Sequence, residues 1–177
     1  MLKGERIKLA PLKREYIEKF LEWLNDPEII QYLIRYRPLT RDMEEEWFDN
    51  LKTEENTIIF SILLTENKDK EKLIGNCGVQ NINWKDRTAV FGVFIGDKEN
   101  QGKGYGTEAL RLLVNYGFNT LNLNRIELEV DDFNIRAIRC YKKVGFVEEG
   151  RKRQAIFKNG QYYDVIFMSI LLKEWKI

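Results

Sequence analysis

Three alternating apolar stretches stand in close succession, TIIFSILLT (57–65), KLIGNCGVQ (72–80) and RTAVFGVFIGD (87–97). Apolar and polar residues trade places along each, the period of a strand with one buried face. The charged segments between them, NKDKE and NINWKD, are too short for a crossover and long enough for hairpins. The middle of the chain is therefore predicted to be an antiparallel meander. The next segment breaks that pattern. QGKGYGTEAL, from Gln101 to Leu110, leads into a helical stripe at Leu110, Leu113, Val114 and Phe118, and RIELEV (125–130) alternates as a strand again. Strand, helix, strand is a crossover unit and demands a parallel pair. The two patterns together require a mixed sheet.

The flanking segments fit around it. ERIKLAPL, Glu5 to Leu12, is predicted as the first strand. Ile17, Phe20, Leu21 and Leu24 recur at helical spacing. Asp26 is a capping residue ahead of Pro27 at a first helical position, and Thr40 stands before a third helix in MEEEWFDNL. NIRAIRCYKKVGF opens on the cap Asn134 and closes on Gly145 with Phe146 behind it, a glycine helix stop. A short strand near 146–151 and a long apolar one in GQYYDVIFMSILLKEW complete the order. Residues 1–177 are expected to form a single α+β domain with a mixed central sheet of six to seven strands, antiparallel hairpins and one βαβ crossover.

Composition removes whole classes of chemistry. The 177 residues contain no histidine. A Ser-His-Asp triad, a Cys-His pair and an imidazole-bound zinc are thereby excluded, and proton transfer falls to a carboxylate, Tyr, Lys, Cys or water. Cys77 and Cys140 are too few for a disulfide framework or a structural zinc site, so no metal is expected. A net charge of +1 gives no bulk attraction for nucleic acid. No apolar run reaches the ~20 residues of a membrane helix, and the start MLKGERIKLAPLKREY lacks the apolar core of a signal peptide. A cytoplasmic protein, with no nucleic-acid or membrane partner, is expected.

Each glycine at the head of a helix costs roughly 0.5–1 kcal/mol relative to alanine. Three of them, Gly102, Gly104 and Gly106, call for an offset. They could be only a glycine-rich helix entry. They could also form an anion site, because free N–H groups and the helix dipole favour a phosphate where a strand turns into a helix. The spacing is neither that of a P-loop nor that of the dinucleotide fingerprint.

Gln101-x-x-Gly104-x-Gly106 resembles the Q/R-x-x-G-x-G/A motif of GNAT-family N-acetyltransferases. Asn134-x-x-Ala137-x-x-x-Tyr141-x-Lys143-x-Gly145-Phe146 is similar to the second cofactor motif of the same family. The resemblance runs on through NYGFNTLNLNRIELEV and FKNGQYYDVIFMSIL, and is nearest to the branch of ribosomal-protein N-terminal and spermidine acetyltransferases. It implies an acetyl-CoA-dependent N-acetyltransferase whose sheet opens as a V between the fourth and fifth strands. Acetyl-CoA, as co-substrate, would lie against Gln101, Gly102, Lys103, Gly104, Tyr105, Gly106 and Thr107, with Asn134 and Lys143 on the following helix. A backbone N–H of Phe94 or Ile95 would bind the thioester carbonyl. Tyr141, two turns after Asn134, is the implied acid for the leaving thiolate.

Other readings stay open. Cys140 sits about 100° around the helix from Tyr141 and reads as a packed small side chain, as does Cys77 in its strand. Glu127 and Glu129 share one face of a strand and read as solvated, and no general base is assigned. The acceptor is a small-molecule amine or a protein N-terminus, and the chain a monomer or homodimer. A non-catalytic acetyl-CoA-binding domain and a spermidine acetyltransferase are the alternatives. Arg35 and Arg37, in YLIRYRPLT, place positive charge where a polyamine would need negative, and favour a neutral or carboxylate-bearing acceptor.

Overall fold

The computed structural model describes residues 1–65 and 71–176. The expected loop NKDKE falls mostly outside them. The strands are β1 (Leu2–Lys3), β2 (Ile7–Pro11), β3 (Ile58–Leu64), β4 (Lys72–Asn83), β5 (Thr88–Ile95), β6 (Arg125–Asp131), β7 (Val147–Lys158) and β8 (Gln161–Leu171). The helices are α1 (Ile17–Leu24), α2 (Pro27–Ile30), α3 (Arg41–Asn50), α4 (Tyr105–Asn119) and α5 (Ile135–Val144).

All eight strands form one sheet in the order β1-β2-β3-β4-β5-β6-β8-β7. The expected meander is β3-β4-β5, antiparallel throughout. The expected crossover is β5-α4-β6, whose strands form the parallel pair. The count of six to seven strands was too low. β1 is two residues, paired through Leu2↔Leu9 and Lys3↔Lys8, and too short to display an alternation. β7 runs to Lys158 rather than stopping near Arg151, and its side chains are mostly exposed, so no apolar period marks its second half.

The helix signals are satisfied as expected. The Asp26 side chain accepts from Glu28 N–H at 2.9 Å, with Pro27 behind it. Thr40 accepts from Met43 N–H and Asn134 from Ala137 N–H. Gly145 closes α5 in the left-handed region at φ +114°, and the N–H of Phe146 returns to the Tyr141 carbonyl.

Helices cover both faces. On one, Ala109, Leu110, Leu113 and Val114 of α4 are fully buried against the sheet. Each of the two leucines contributes roughly 1.5–3 kcal/mol by leaving water. On the other, Phe20, Trp23 and Ile29 of α1 and α2 pack with Leu73 and Phe94. Along β5 the faces alternate: Ala89 and Phe91 join the α4 side, Phe94 the α1 side.

The pairing of β5 with β6 ends early. Thr88↔Arg125, Ala89↔Ile126 and Val90↔Glu127 are the matched positions. Beyond them β5 stays paired with β4 out to Ile95, and β6 with β8 out to Asp131. The two strands therefore diverge inside a continuous sheet. This is the V-shaped opening, lying between the strands read as the fourth and fifth.

Candidate active site

The split exposes main-chain groups that a closed sheet would use. The Phe94 carbonyl points toward Gly75 of β4, and the N–H of Gly96 donates to Ile74 of the same strand. Main-chain groups alternate sides along a strand, so those of Ile95 face the split. The Ile95 carbonyl is met there by Gln101 Nε2 at 2.8 Å. Of the two expected carbonyl-binding amides, Ile95 thus faces the opening and Phe94 faces its neighbour strand. The Phe94 ring still borders the cleft.

The glycine turn sits at the end of this split. Gly102 and Gly104 have φ of +74° and +88°, left-handed conformations that favour glycine. A Cβ at Gly102 would meet nothing within 4 Å. The turn ends in the N-terminus of α4, where the first N–H groups lack intrahelical partners. A two-glycine turn with open space beside it and a 15-residue helix behind it fits a diphosphate.

These parts share one cleft of about 480 Å³. Its walls include Phe94, Ile95, Gln101, Gly102, Gly104, Tyr105, Gly106, Thr107, Asn134, Tyr141 and Lys143. Lys103, whose carbonyl is held by Arg6 Nη1 at 3.0 Å, is not among them. Arg35 and Arg37 are also absent from the lining. Arg35 instead acts electrostatically on the buried carboxyl of Glu44, and Arg37 lies over the Tyr36 ring at 5.5 Å.

Tyr141 is 8% exposed and packs near Phe146, with ring centroids 6.1 Å apart. Burial pushes its phenol well up, and the nearby Cys140 and Asp131 push the same way. The hydroxyl thus keeps its proton, the state a general acid needs. Cys140 is not simply packed away: it is half-buried, borders the cleft and accepts from Thr107 Oγ1 at 3.3 Å. Burial raises its thiol, and Thr107 and Lys143 only partly oppose that. Cys77 is buried in β4, and burial pushes its thiol far up.

Several contacts had no signal in the sequence. Arg136 Nη1 donates to Gln101 Oε1 at 2.8 Å across the cleft mouth, and its guanidinium lies over Tyr32 at 5.5 Å. Ile29, Tyr32 and Leu33 form the wall opposite α5. Tyr32 faces Phe133 at 6.0 Å, which in turn stacks near Tyr163 at 4.6 Å. Asp131 ends β6 on the face that carries Glu127 and Glu129. Burial lifts its carboxyl and Lys158 opposes this; among the described residues that carboxyl has no hydrogen-bonded or ion-paired partner. No motif carries these contacts, because they join segments distant in sequence.

The family described as acetyltransferase (GNAT) domain matches residues 6–147. A Bacillus licheniformis protein named uncharacterized N-acetyltransferase p20 is 32% identical over 97% of this chain and 96% of its own. The spermidine N(1)-acetyltransferase of Escherichia coli (strain K12) is 32% identical over 99% of this chain and 91% of its own. Among solved structures, spermidine N-acetyltransferase from Vibrio cholerae in complex with CoA and spermine superposes with a TM-score of 0.89. It is 29% identical and covers 97% of this chain and 98% of its own.

Proposed function

This chain belongs to the GNAT acetyltransferase family and is an acetyl-CoA-dependent N-acetyltransferase, and from that premise we propose how its own residues divide the work. The glycine turn and the head of α4 hold the pyrophosphate, with Gln101, Thr107, Asn134 and Lys143 along the rest of the cofactor. The Ile95 N–H, in the split, polarises the thioester carbonyl. Tyr141 protonates the leaving thiolate. The amine attacks directly: its nitrogen bonds to the carbonyl carbon, the C–S bond breaks, the proton shed by the nitrogen passes to water, from which Tyr141 is reprotonated, and no acyl-enzyme forms. The raised Cys140 thiol and the lack of any histidine to activate it support that order. The observation that supports this reading is the divergence of β5 from β6 beside the glycine turn: Ile95, Tyr141 and the glycines line one cleft, and burial keeps the Tyr141 phenol protonated.

For the acceptor we propose a small polyamine-like primary amine. The named activity of the Escherichia coli relative supports this, and so does Asp131 on the face of β6 away from α4, a carboxylate that among the described residues is neither hydrogen-bonded nor ion-paired, although the Lys158 charge partly offsets it. A carboxylate-bearing amine is the second reading, favoured by Arg35 and Arg37. Its support is lessened because Arg35 is already opposed by Glu44. The test is thiol release with spermidine, free amino acids and N-terminal peptides, compared by kcat/KM. Spermidine ahead by more than tenfold carries the first reading, and a carboxylate-bearing acceptor ahead carries the second. Release with none of them beyond the rate without acceptor removes both.

A further inference from the structure

The glycine turn is braced from outside the crossover unit. Lys103 stands between two glycines in the left-handed region, so side-chain sterics do little to restrain the main chain on either side of it. Its carbonyl is nonetheless fixed. Arg6, one residue before β2, donates to it from Nη1 at 3.0 Å. The same guanidinium donates from Nε to Glu108 Oε2 at 3.0 Å and lies over the Tyr105 ring at 4.7 Å. A Cβ added at Gly104 would have Arg6 Nη2 as its nearest neighbour, at 3.4 Å.

Glu108 completes the brace. It lies in the first turn of α4, and its Oε1 accepts from the main-chain N–H of Arg6 at 2.9 Å and of Ile7 at 3.3 Å. The helix head is thereby tied to the start of β2, about 100 residues away in sequence. The charge arrangement matters as much as the tie. A bare carboxylate in the first turn of the helix would repel a diphosphate at the same terminus. The paired guanidinium cancels that charge and leaves the helix N-terminus free to act on an anion.

We propose that Arg6 is a positioning residue for acetyl-CoA: it holds the 102–104 main chain in its pyrophosphate-binding shape through the Lys103 carbonyl, and it neutralises Glu108 beside that site. This rests on the placement of the pyrophosphate proposed above. A residue acting this way should matter only for donors that carry a pyrophosphate.

The test is Arg6→Met, assayed with acetyl-CoA and with S-acetylpantetheine, which has the same thioester and no pyrophosphate. The expected result is an acetyl-CoA KM and a calorimetric CoA Kd raised at least tenfold. The kcat at saturating acetyl-CoA, and kcat/KM for S-acetylpantetheine, should stay within threefold. Unchanged CoA affinity in a folded variant overturns the proposal. So does an equal loss with both donors, which would mean general loosening. Should Arg6→Met fail to fold, Arg6→Lys is read in the same assays. It keeps the charge but loses the fork that reaches Lys103 and Glu108 together, and no change in that variant also overturns the proposal. Gly106→Val separates the two layers. If it weakens CoA binding and neither Arg6 variant does, the brace fails alone. If it leaves CoA binding intact, the pyrophosphate placement fails.

Discussion

Gly104 and Gly106 are two residues apart, yet glycine is needed at them for different reasons. At φ +88° Gly104 cannot accept a side chain without strain, so a variant there would confuse folding with binding. Gly106 lies inside α4, and an added Cβ would meet Ile95 at 3.7 Å, an ordinary contact. Gly106→Val should therefore keep or raise the melting temperature while a branched side chain enters the cofactor's path. Acetyl-CoA affinity is expected to fall at least tenfold, about 1.4 kcal/mol, in a calorimetric titration. Unchanged affinity would leave the three glycines as a helix entry and nothing more. Tyr141→Phe keeps the ring against Phe146 and removes one proton donor. Its kcat is expected to drop ~10²-fold with the acetyl-CoA KM within threefold. Wild-type turnover would reduce Tyr141 to a packing residue. At this scale the sequence was readable where a residue type has one main use: the caps Asp26, Thr40 and Asn134, and the stop Gly145. Cys140 packs against the core as its reading had it, and what the ~100° separation from Tyr141 did not reveal is that it also borders the cleft. The cleft runs along α5 and takes in a wide arc of it, so both residues border the same space.

The β7–β8 hairpin is the element least visible beforehand, although its turn was written plainly. Asn159 and Gly160 have φ of +49° and +85°, and Lys158 pairs with Gln161 across them. Asn-Gly with positive φ at both residues is the favoured two-residue hairpin turn. It predicts a strand on each side, but the residues before it, RKRQAIFK, are too polar to announce one. That strand does more than extend the sheet. Lys158 Nζ reaches the end of α2 and donates to the carbonyls of Ile30 at 3.3 Å, Gln31 at 3.0 Å and Leu33. A cation there complements the negative end of the short helix. It also pins the wall formed by Tyr32 and Leu33, opposite α5. Lys158→Met keeps the stem and deletes the donors. We expect the acceptor KM to rise at least fivefold, with kcat and acetyl-CoA Kd within threefold. An unchanged acceptor KM in folded protein would show that the hairpin does not shape the acceptor side.

For the molecule as a whole, the antiparallel meander and the parallel crossover were legible because alternation, loop length and one crossover leave few topologies open. The split was not legible from residues alone, because register depends on how two distant strands meet; only the family resemblance pointed to it. Buried charge was equally hidden. Glu44 stands in a helix of acids, EEE, where nothing marks one as different, yet it is 3% exposed while Glu45 and Glu46 are not buried. That has a consequence for stability against pH. The chain holds 29 basic and 28 acidic side chains, so overall repulsion is small near neutrality and individual shifted groups decide the profile. Glu149 accepts from Arg125 Nη1 at 2.8 Å, and these bonds lower its carboxyl to about 2. A lowered acid stabilises above its ordinary value of about 4.5, and that contribution is lost as pH falls from there toward 2. Glu44 has the opposite sign. Burial raises its carboxyl, with Arg35 only partly opposing, so the folded protein holds its proton more tightly than the unfolded chain. Its cost is absent at low pH and sets in as pH rises from about 4.5 through the raised value. Glu44→Gln keeps the shape and removes that charge. Its melting temperature should exceed wild type by at least ~2 °C at pH 7.5, on the order of 1 kcal/mol for a domain of this size, and match it near pH 4. A gain equal at both pH values would trace the effect to packing instead of charge. A loss at pH 7.5 would mean that attraction to Arg35 outweighs the cost of burying the carboxylate.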